Sequence, residues 1–159
     1  MGQRNITDYY QQQLQVGLEY QDFVCEVLLK ELGFPIITYA SLKYQYKKGE
    51  NKQGIEIKYQ SKMTEYKSIY IETEEKSNEN NANFVPSGIF RDDKTWLFLT
   101  GNYNILFIFS VRFLRRMFKS NLFKQVEPKK IKTSKGFVLS FADAEKYCIK
   151  KILIGATNA

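Results

Sequence analysis

The run Gly49-Glu50-Asn51-Lys52-Gln53-Gly54-Ile55-Glu56-Ile57-Lys58 sets two carboxylates and an ammonium close together and closes in an apolar alternation. On a strand, Glu56 and Lys58 share one face while Ile55, Ile57 and Tyr59 take the other, the pattern of a half-buried strand that turns its polar side to a cleft. Glu50 and Glu56 are an even number of positions apart. A hairpin that sets them opposite one another is therefore allowed, with Cβ atoms about 5 Å apart. Two such carboxylates suit a hard cation, Mg²⁺ or Mn²⁺, with the Ile57 carbonyl as a further ligand and positions left for waters and a phosphate oxygen. Lys58 would orient or help deprotonate the attacking water and stabilise charge on the scissile phosphate. Glu19, upstream, would hold a second cation or an outer-shell water, with Asp22 and Glu26 as competitors for that role. The expected chemistry is metal-assisted hydrolysis by Glu50, Glu56 and Lys58.

Composition narrows the alternatives. The 159 residues include no histidine, which removes Ser-His-Asp triads, Cys-His dyads and His-based zinc sites. Cys25 and Cys148 are too few and too far apart in sequence for a zinc ribbon or a C-x-x-C redox motif, and their apolar neighbours point to two buried free thiols. The net charge is +7, and it is unevenly spread. Residues 1–80 carry 10 basic and 12 acidic groups, and residues 81–159 carry 14 basic and 5 acidic groups. A cation-binding site beside a surface that attracts a polyanion such as DNA or RNA fits that asymmetry; a solvated basic face is the plain alternative. No stretch reaches the ~18 apolar residues of a membrane span and no signal-peptide pattern opens the chain, so a protein of the cytoplasm, with no membrane partner, is expected.

These residues need elements to position them. Leu14, Leu18, Phe23, Val24, Val27, Leu28 and Leu32 recur at helical spacing, so a helix is predicted from Thr7 or Asp8 to Leu32, capped by Asp8 and stopped at Gly33-Phe34-Pro35. Glu19, Asp22 and Glu26 form an acidic stripe on it. Strands are predicted over Ile36–Tyr46, Ile55–Gln60 and Ser68–Thr73, as three consecutive antiparallel strands. Lys76–Asp93 reads as a long surface loop. Thr95–Leu99 and Ile105–Phe109 form a hairpin across Thr100–Asn104. Ser110 caps a helix with Arg112, Arg115, Arg116 and Lys119 on one face and Phe113, Leu114, Met117 and Phe118 on the other, and the basic face is the expected nucleic-acid contact. Lys129, Lys130, Lys132 and Lys135 surround a short strand over Gly136–Ser140. A final helix over Ala142–Ile154 is predicted to turn Ala144, Tyr147, Cys148 and Ile152 inward.

A helix bearing an acid, then strands carrying an acid followed by (D/E)-x-K, resembles the PD-(D/E)XK nuclease superfamily over the first half of the chain. Most of the chain also resembles a group of phage and bacterial proteins, through Gly17-Leu18-Glu19-Tyr20-Gln21, the Gly49–Lys58 core, Tyr70-Ile71-Glu72-Thr73-Glu74-Glu75-Lys76-Ser77-Asn78 and Val85-Pro86-Ser87-Gly88-Ile89. The superfamily resemblance implies an α/β (α+β) fold with a restriction-endonuclease-like core, a mixed β-sheet flanked by α-helices, as a single nuclease-like domain over 1–159. It further implies a Mg²⁺- or Mn²⁺-dependent DNA endonuclease of a bacterium or phage-infected host, and it allows a homodimer. Glu50 stands for the superfamily's Asp, with Gly49-Glu50 where the family has Pro-Asp. Glu56 stands for its Asp/Glu and Lys58 for its Lys, with Gln53 and Glu72 as supporting residues. The alternative is a catalytically inactive nuclease-fold DNA-binding protein or a phage accessory protein.

Overall fold

The computed structural model describes residues 6–36, 53–127 and 132–155. Glu50, Lys129, Lys130 and the expected strand beyond Ile36 lie outside them. The architecture is mixed α+β, built on two four-stranded sheets. In chain order the elements are α1 (Ile6–Leu32), β1 (Ile55–Tyr59), α2 (Met63–Tyr66), β2 (Ser68–Glu75), β3 (Val85–Pro86), a 3₁₀ turn (Gly88–Phe90), β4 (Leu97–Gly101), β5 (Ile105–Ser110), α3 (Val111–Lys119), β6 (Gln125–Val126), β7 (Ser134–Ser140), α4 (Phe141–Tyr147) and β8 (Lys150–Leu153).

The first sheet runs β1-β4-β5-β8, with β1 parallel to β4 and the other pairs antiparallel. The second runs β3-β2-β7-β6 and is antiparallel throughout. The expected meander is thus corrected: Ile55–Tyr59 and Ser68–Glu75 are consecutive strands in different sheets, with α2 between them. Either strand alternates well enough to pair with many partners, and the parallel partner of β1 arrives about forty residues later, where local pattern cannot announce it.

One face of the first sheet is covered by α1, whose Tyr20, Val24, Val27 and Leu28 pack with Ile55, Leu99, Leu106, Ile108 and Ile152. Its other face, through Phe98, Phe107 and Phe109, meets Ile69, Ile71, Phe137 and Leu139 of the second sheet together with Leu114 and Met117 of α3 and Ala144 of α4. Covered on both sides, β4 and β5 read as nearly unbroken apolar runs. α1 begins at Ile6, so Asp8 falls within it and is not its cap. It ends as predicted, where Gly33 at φ +62° lets its N–H reach the Leu29 carbonyl and that of Phe34 reach the Leu28 carbonyl. Leu32 is exposed, while the unpredicted Tyr20 is fully buried against Phe23, Tyr59 and Tyr103, with its hydroxyl donating to the Asn102 carbonyl.

The predicted 95–109 hairpin and the Ser110-capped helix are present, the Ser110 hydroxyl accepting from the Phe113 N–H. Within the expected Lys76–Asp93 loop the chain forms β3 and the 3₁₀ turn. The final helix is shorter than expected. It stops at Tyr147 because Cys148 turns extended and the Ile149 N–H bonds the Ile108 carbonyl, which starts β8; Ile152 is buried from a strand, not a helix. Both cysteines are free and only partly buried.

Candidate functional site

The entry to β1 is held by backbone geometry. Gly54 adopts φ +72°, and its carbonyl accepts from the N–H groups of Trp96 and Leu97 at 2.9 and 3.2 Å, which draws β1 alongside β4. A Cβ at Gly54 would meet the Lys94 carbonyl oxygen at 2.5 Å, so glycine is required both for its dihedral and for the close approach. Gln53, expected to support the catalytic group, instead fixes the chain: its side chain donates to the Pro35 carbonyl at 3.0 Å and its carbonyl accepts from the Trp96 indole at 2.6 Å.

Ile55, Ile57 and Tyr59 of β1 pack on the α1 side, which sends Glu56 and Lys58 to the opposite face, the separation the alternation predicts. Glu56 is 2 % exposed, and neither carboxylate oxygen accepts a hydrogen bond among the described residues. Lys58 Nζ lies 3.3 Å from Glu56 Oε1, within ion-pair distance but out of hydrogen-bonding alignment, and the lysine side chain is 45 % exposed. A buried carboxylate without donors is costly, and a single partly solvated ammonium offsets only part of the desolvation. The strand thus carries a buried carboxylate and, two residues on, an ammonium that reaches toward solvent.

Among the described residues, Glu19 and Glu72 lie on other elements than β1. Glu19 is exposed on α1, accepting from the Gln15 side chain, and α1 covers the sheet face opposite to Glu56. Glu19, expected to hold a second cation or an outer-shell water, thus sits on the layer that covers the other face of the sheet, and Asp22 and Glu26 are exposed on the same helix. Glu72 belongs to the second sheet. Its two carboxylate oxygens accept from the hydroxyls of Ser87 at 2.9 Å and Ser134 at 2.8 Å, so its hydrogen bonds stay within that sheet and do not support Glu56. The Tyr70 hydroxyl shares a 2.7 Å bond with Ser134, and burial pushes the phenol up to about 12. Glu50 lies outside the described residues, among which no group of three carboxylate or cysteine side chains is close enough to hold a metal.

Gln60, one residue past β1, is a joint that pattern reading did not mark as structural. Its amide bonds both backbone groups of Tyr70, at 2.9 Å each, and the Thr100 hydroxyl at 2.6 Å, and so it ties the first sheet to the second immediately beyond Lys58.

The basic face of α3 divides into two. Arg115 turns inward, its guanidinium donating to the carbonyls of Ile89 and Arg91 and lying 5.8 Å from the Phe90 ring, which withdraws it from the expected nucleic-acid face. Arg112, Arg116 and Lys119 are exposed. Arg112 and Arg116 line an open cleft of about 500 Å³ between α3 and α4, together with Phe113, Lys146, Tyr147 and Ile149. Lys146 and Tyr147 had no place in the sequence-derived site, because only tertiary packing brings α4 against α3.

No protein-family model, no curated protein and no solved structure matches the chain. Among the described residues, no helix is long and apolar enough to cross a membrane.

Proposed function

We propose that the chain is a metal-dependent DNA endonuclease of the PD-(D/E)XK type that hydrolyses phosphodiester bonds on the polar face of β1. The observation that carries this reading is the Glu56 carboxylate, buried and without a hydrogen-bond donor among the described residues, two positions from a lysine that reaches solvent. Orphaned carboxylate oxygens beside a strand backbone fit a hard, oxygen-seeking cation. Glu56 and the Ile57 carbonyl would hold it, with Glu50 as the further ligand that the superfamily resemblance implies. Bound there, Mg²⁺ or Mn²⁺ supplies Lewis acidity toward a phosphate oxygen and lowers the pKa of its water. Glu56 contributes the negative charge that retains the ion. Lys58 orients the attacking water and neutralises charge that develops on the phosphate. The parallel β1–β4 pair beside antiparallel β5 supports a restriction-endonuclease-like core, and a homodimer acting in the cytoplasm accords with cleavage of two strands.

The exposed cations at α3 favour a second reading, a nuclease-fold protein that binds DNA without cutting it. A cleavage assay with linear, branched and single-stranded DNA in Mg²⁺ or Mn²⁺ separates the two. Hydrolysis by the wild type, abolished in Glu56→Ala and Lys58→Ala, is the expected result. DNA binding without cleavage by the wild type, or equal cleavage by both variants, overturns the catalytic assignment.

A further inference from the structure

The cleft between α3 and α4 has a composition that hydrolysis at β1 does not require. Arg112 and Arg116 lie one helical turn apart on α3, and Lys146 faces them from α4. None of the three makes an ion pair among the described residues, and no carboxylate lines the cleft. The nearest acids of α4 are engaged: Asp143 accepts from the Ser140 hydroxyl, and Glu145 pairs with Lys151. The apolar part of the lining is two rings with Cys148 and Ile149. The Phe113 and Tyr147 rings lie 5.8 Å apart with a 39° tilt, Phe113 is 37 % exposed, and Ile149 beside them is 61 % exposed.

We propose that this cleft binds single-stranded nucleic acid, with an unpaired base against Phe113 and Tyr147 and the flanking phosphates on Arg112, Arg116 and Lys146. Charge complementarity selects the ligand: three cations with no carboxylate beside them, Lys146 lying 4.9 Å from the Tyr147 ring, suit an anion, and the exposed Phe113 ring next to them suits a flat apolar surface joined to that anion. Single-stranded DNA or RNA offers both, because its bases present free faces to stack while its backbone carries a phosphate at every step. A duplex satisfies only the charges, since its base faces are already stacked. The volume of about 500 Å³ lies in the small-ligand range, which suits a local grip on the strand. The inference goes beyond the hydrolysis reading and does not depend on it, because binding is measurable without divalent metal and without turnover.

The experiment is fluorescence anisotropy of a labelled oligothymidine in EDTA, titrated across a salt series, with the full chain and with variants whose circular dichroism matches the wild type. Phe113→Ala is expected to weaken binding about tenfold through lost stacking while leaving the salt slope unchanged. Arg112→Gln combined with Arg116→Gln is expected to lower the slope of log K against log salt by about 1.4, two single-strand phosphate contacts at about 0.7 each. Should Phe113→Ala fail to fold, Phe113→Leu keeps the bulk, removes the aromatic face and gives the same loss. Binding unaffected by either class of variant, or sensitive to the arginines and indifferent to Phe113, overturns the proposal. So does competition by polyglutamate as effective as that of unlabelled oligothymidine, which would identify an acidic protein surface as the occupant. Loss of cleavage in Glu56→Ala with oligothymidine binding intact supports both readings, whereas cleavage abolished in Glu56→Ala together with oligothymidine binding that no cleft variant changes overturns this inference alone.

Discussion

Glu56 is the residue at which stability and proposed function pull apart. Its carboxylate has given up water for a site with one partly exposed ammonium at 3.3 Å and no aligned donor among the described residues. Such a group lowers stability unless a ligand neutralises it. Glu56→Gln is therefore expected to raise the stability of the metal-free protein by about 1 kcal/mol, about 3 °C in Tm for a chain of this size. Mg²⁺ should raise the Tm of the wild type and leave that of Glu56→Gln unchanged, since only a ligand that binds the folded state shifts the midpoint. Thermal melts with and without Mg²⁺ check both statements. A drop in Tm for the metal-free variant would show that the carboxylate is a satisfied structural anion and not a waiting ligand.

At the scale of elements, the placement of Glu56 depends on how β1 starts and α3 ends up serving two purposes. Gly54→Ala forces a left-handed alanine and drives its Cβ toward the Lys94 carbonyl, 2.5 Å away. The expected cost is about 2–4 kcal/mol, and, on the proposed hydrolytic reading, cleavage should fall by more than the loss of folded protein accounts for, because Glu56 follows two residues later. Urea denaturation alongside the cleavage assay separates the two effects. On α3, neighbouring arginines should behave as different residues. Arg115→Ala strips donors from the Ile89 and Arg91 carbonyls and is expected to cost about 1–2 kcal/mol. Arg116→Ala should stay within about 0.5 kcal/mol of wild type and act on the salt dependence of nucleic-acid binding instead. The α3 periodicity was legible because its signals are local: the Ser110 cap and an apolar face at helical spacing. The inward turn of Arg115 was not legible, because its acceptors belong to a 3₁₀ turn more than twenty residues upstream. The spacing of Ala144, Tyr147, Cys148 and Ile152 misled for a related reason. It continues a helical pattern through a point where a carbonyl of β5 captures the Ile149 N–H and converts the chain to strand.

The whole molecule joins two cores across one sheet, an arrangement that alternation within single strands could not reveal, since the same pattern serves whichever sheet recruits it. The pairing of Glu56 with Lys58 was readable from a period of two. The separation of Glu19 from that pair follows from which face α1 covers, and only the assembled layers decide that. Each core carries a titrating group that reports on its integrity. Cys25 lies on α1, where burial and then the nearby Asp22 push its thiol from 9.0 up to about 11. Tyr70 lies in the second sheet, where burial moves its phenol from 10.0 up to about 12. Each group binds its proton more tightly folded than unfolded, so above the unfolded value the unfolded chain holds fewer protons and stability falls as pH rises. The loss should begin near pH 9 through Cys25 and Cys148, steepen above pH 10 through Tyr70 and the buried Tyr20, whose phenol burial also pushes up, and be complete for each group once its folded value is passed. Because the first sheet is packed on both faces, both linkages are expected to act on a single cooperative transition. Cys25→Ser should reduce the earlier part of the alkaline loss and Tyr70→Phe the later part, which Tyr20 shares, each shifting the same midpoint in urea melts across pH 8 to 12. Two transitions, one moved only by Cys25→Ser and the other only by Tyr70→Phe, would mean that the α1 layer and the second sheet unfold independently.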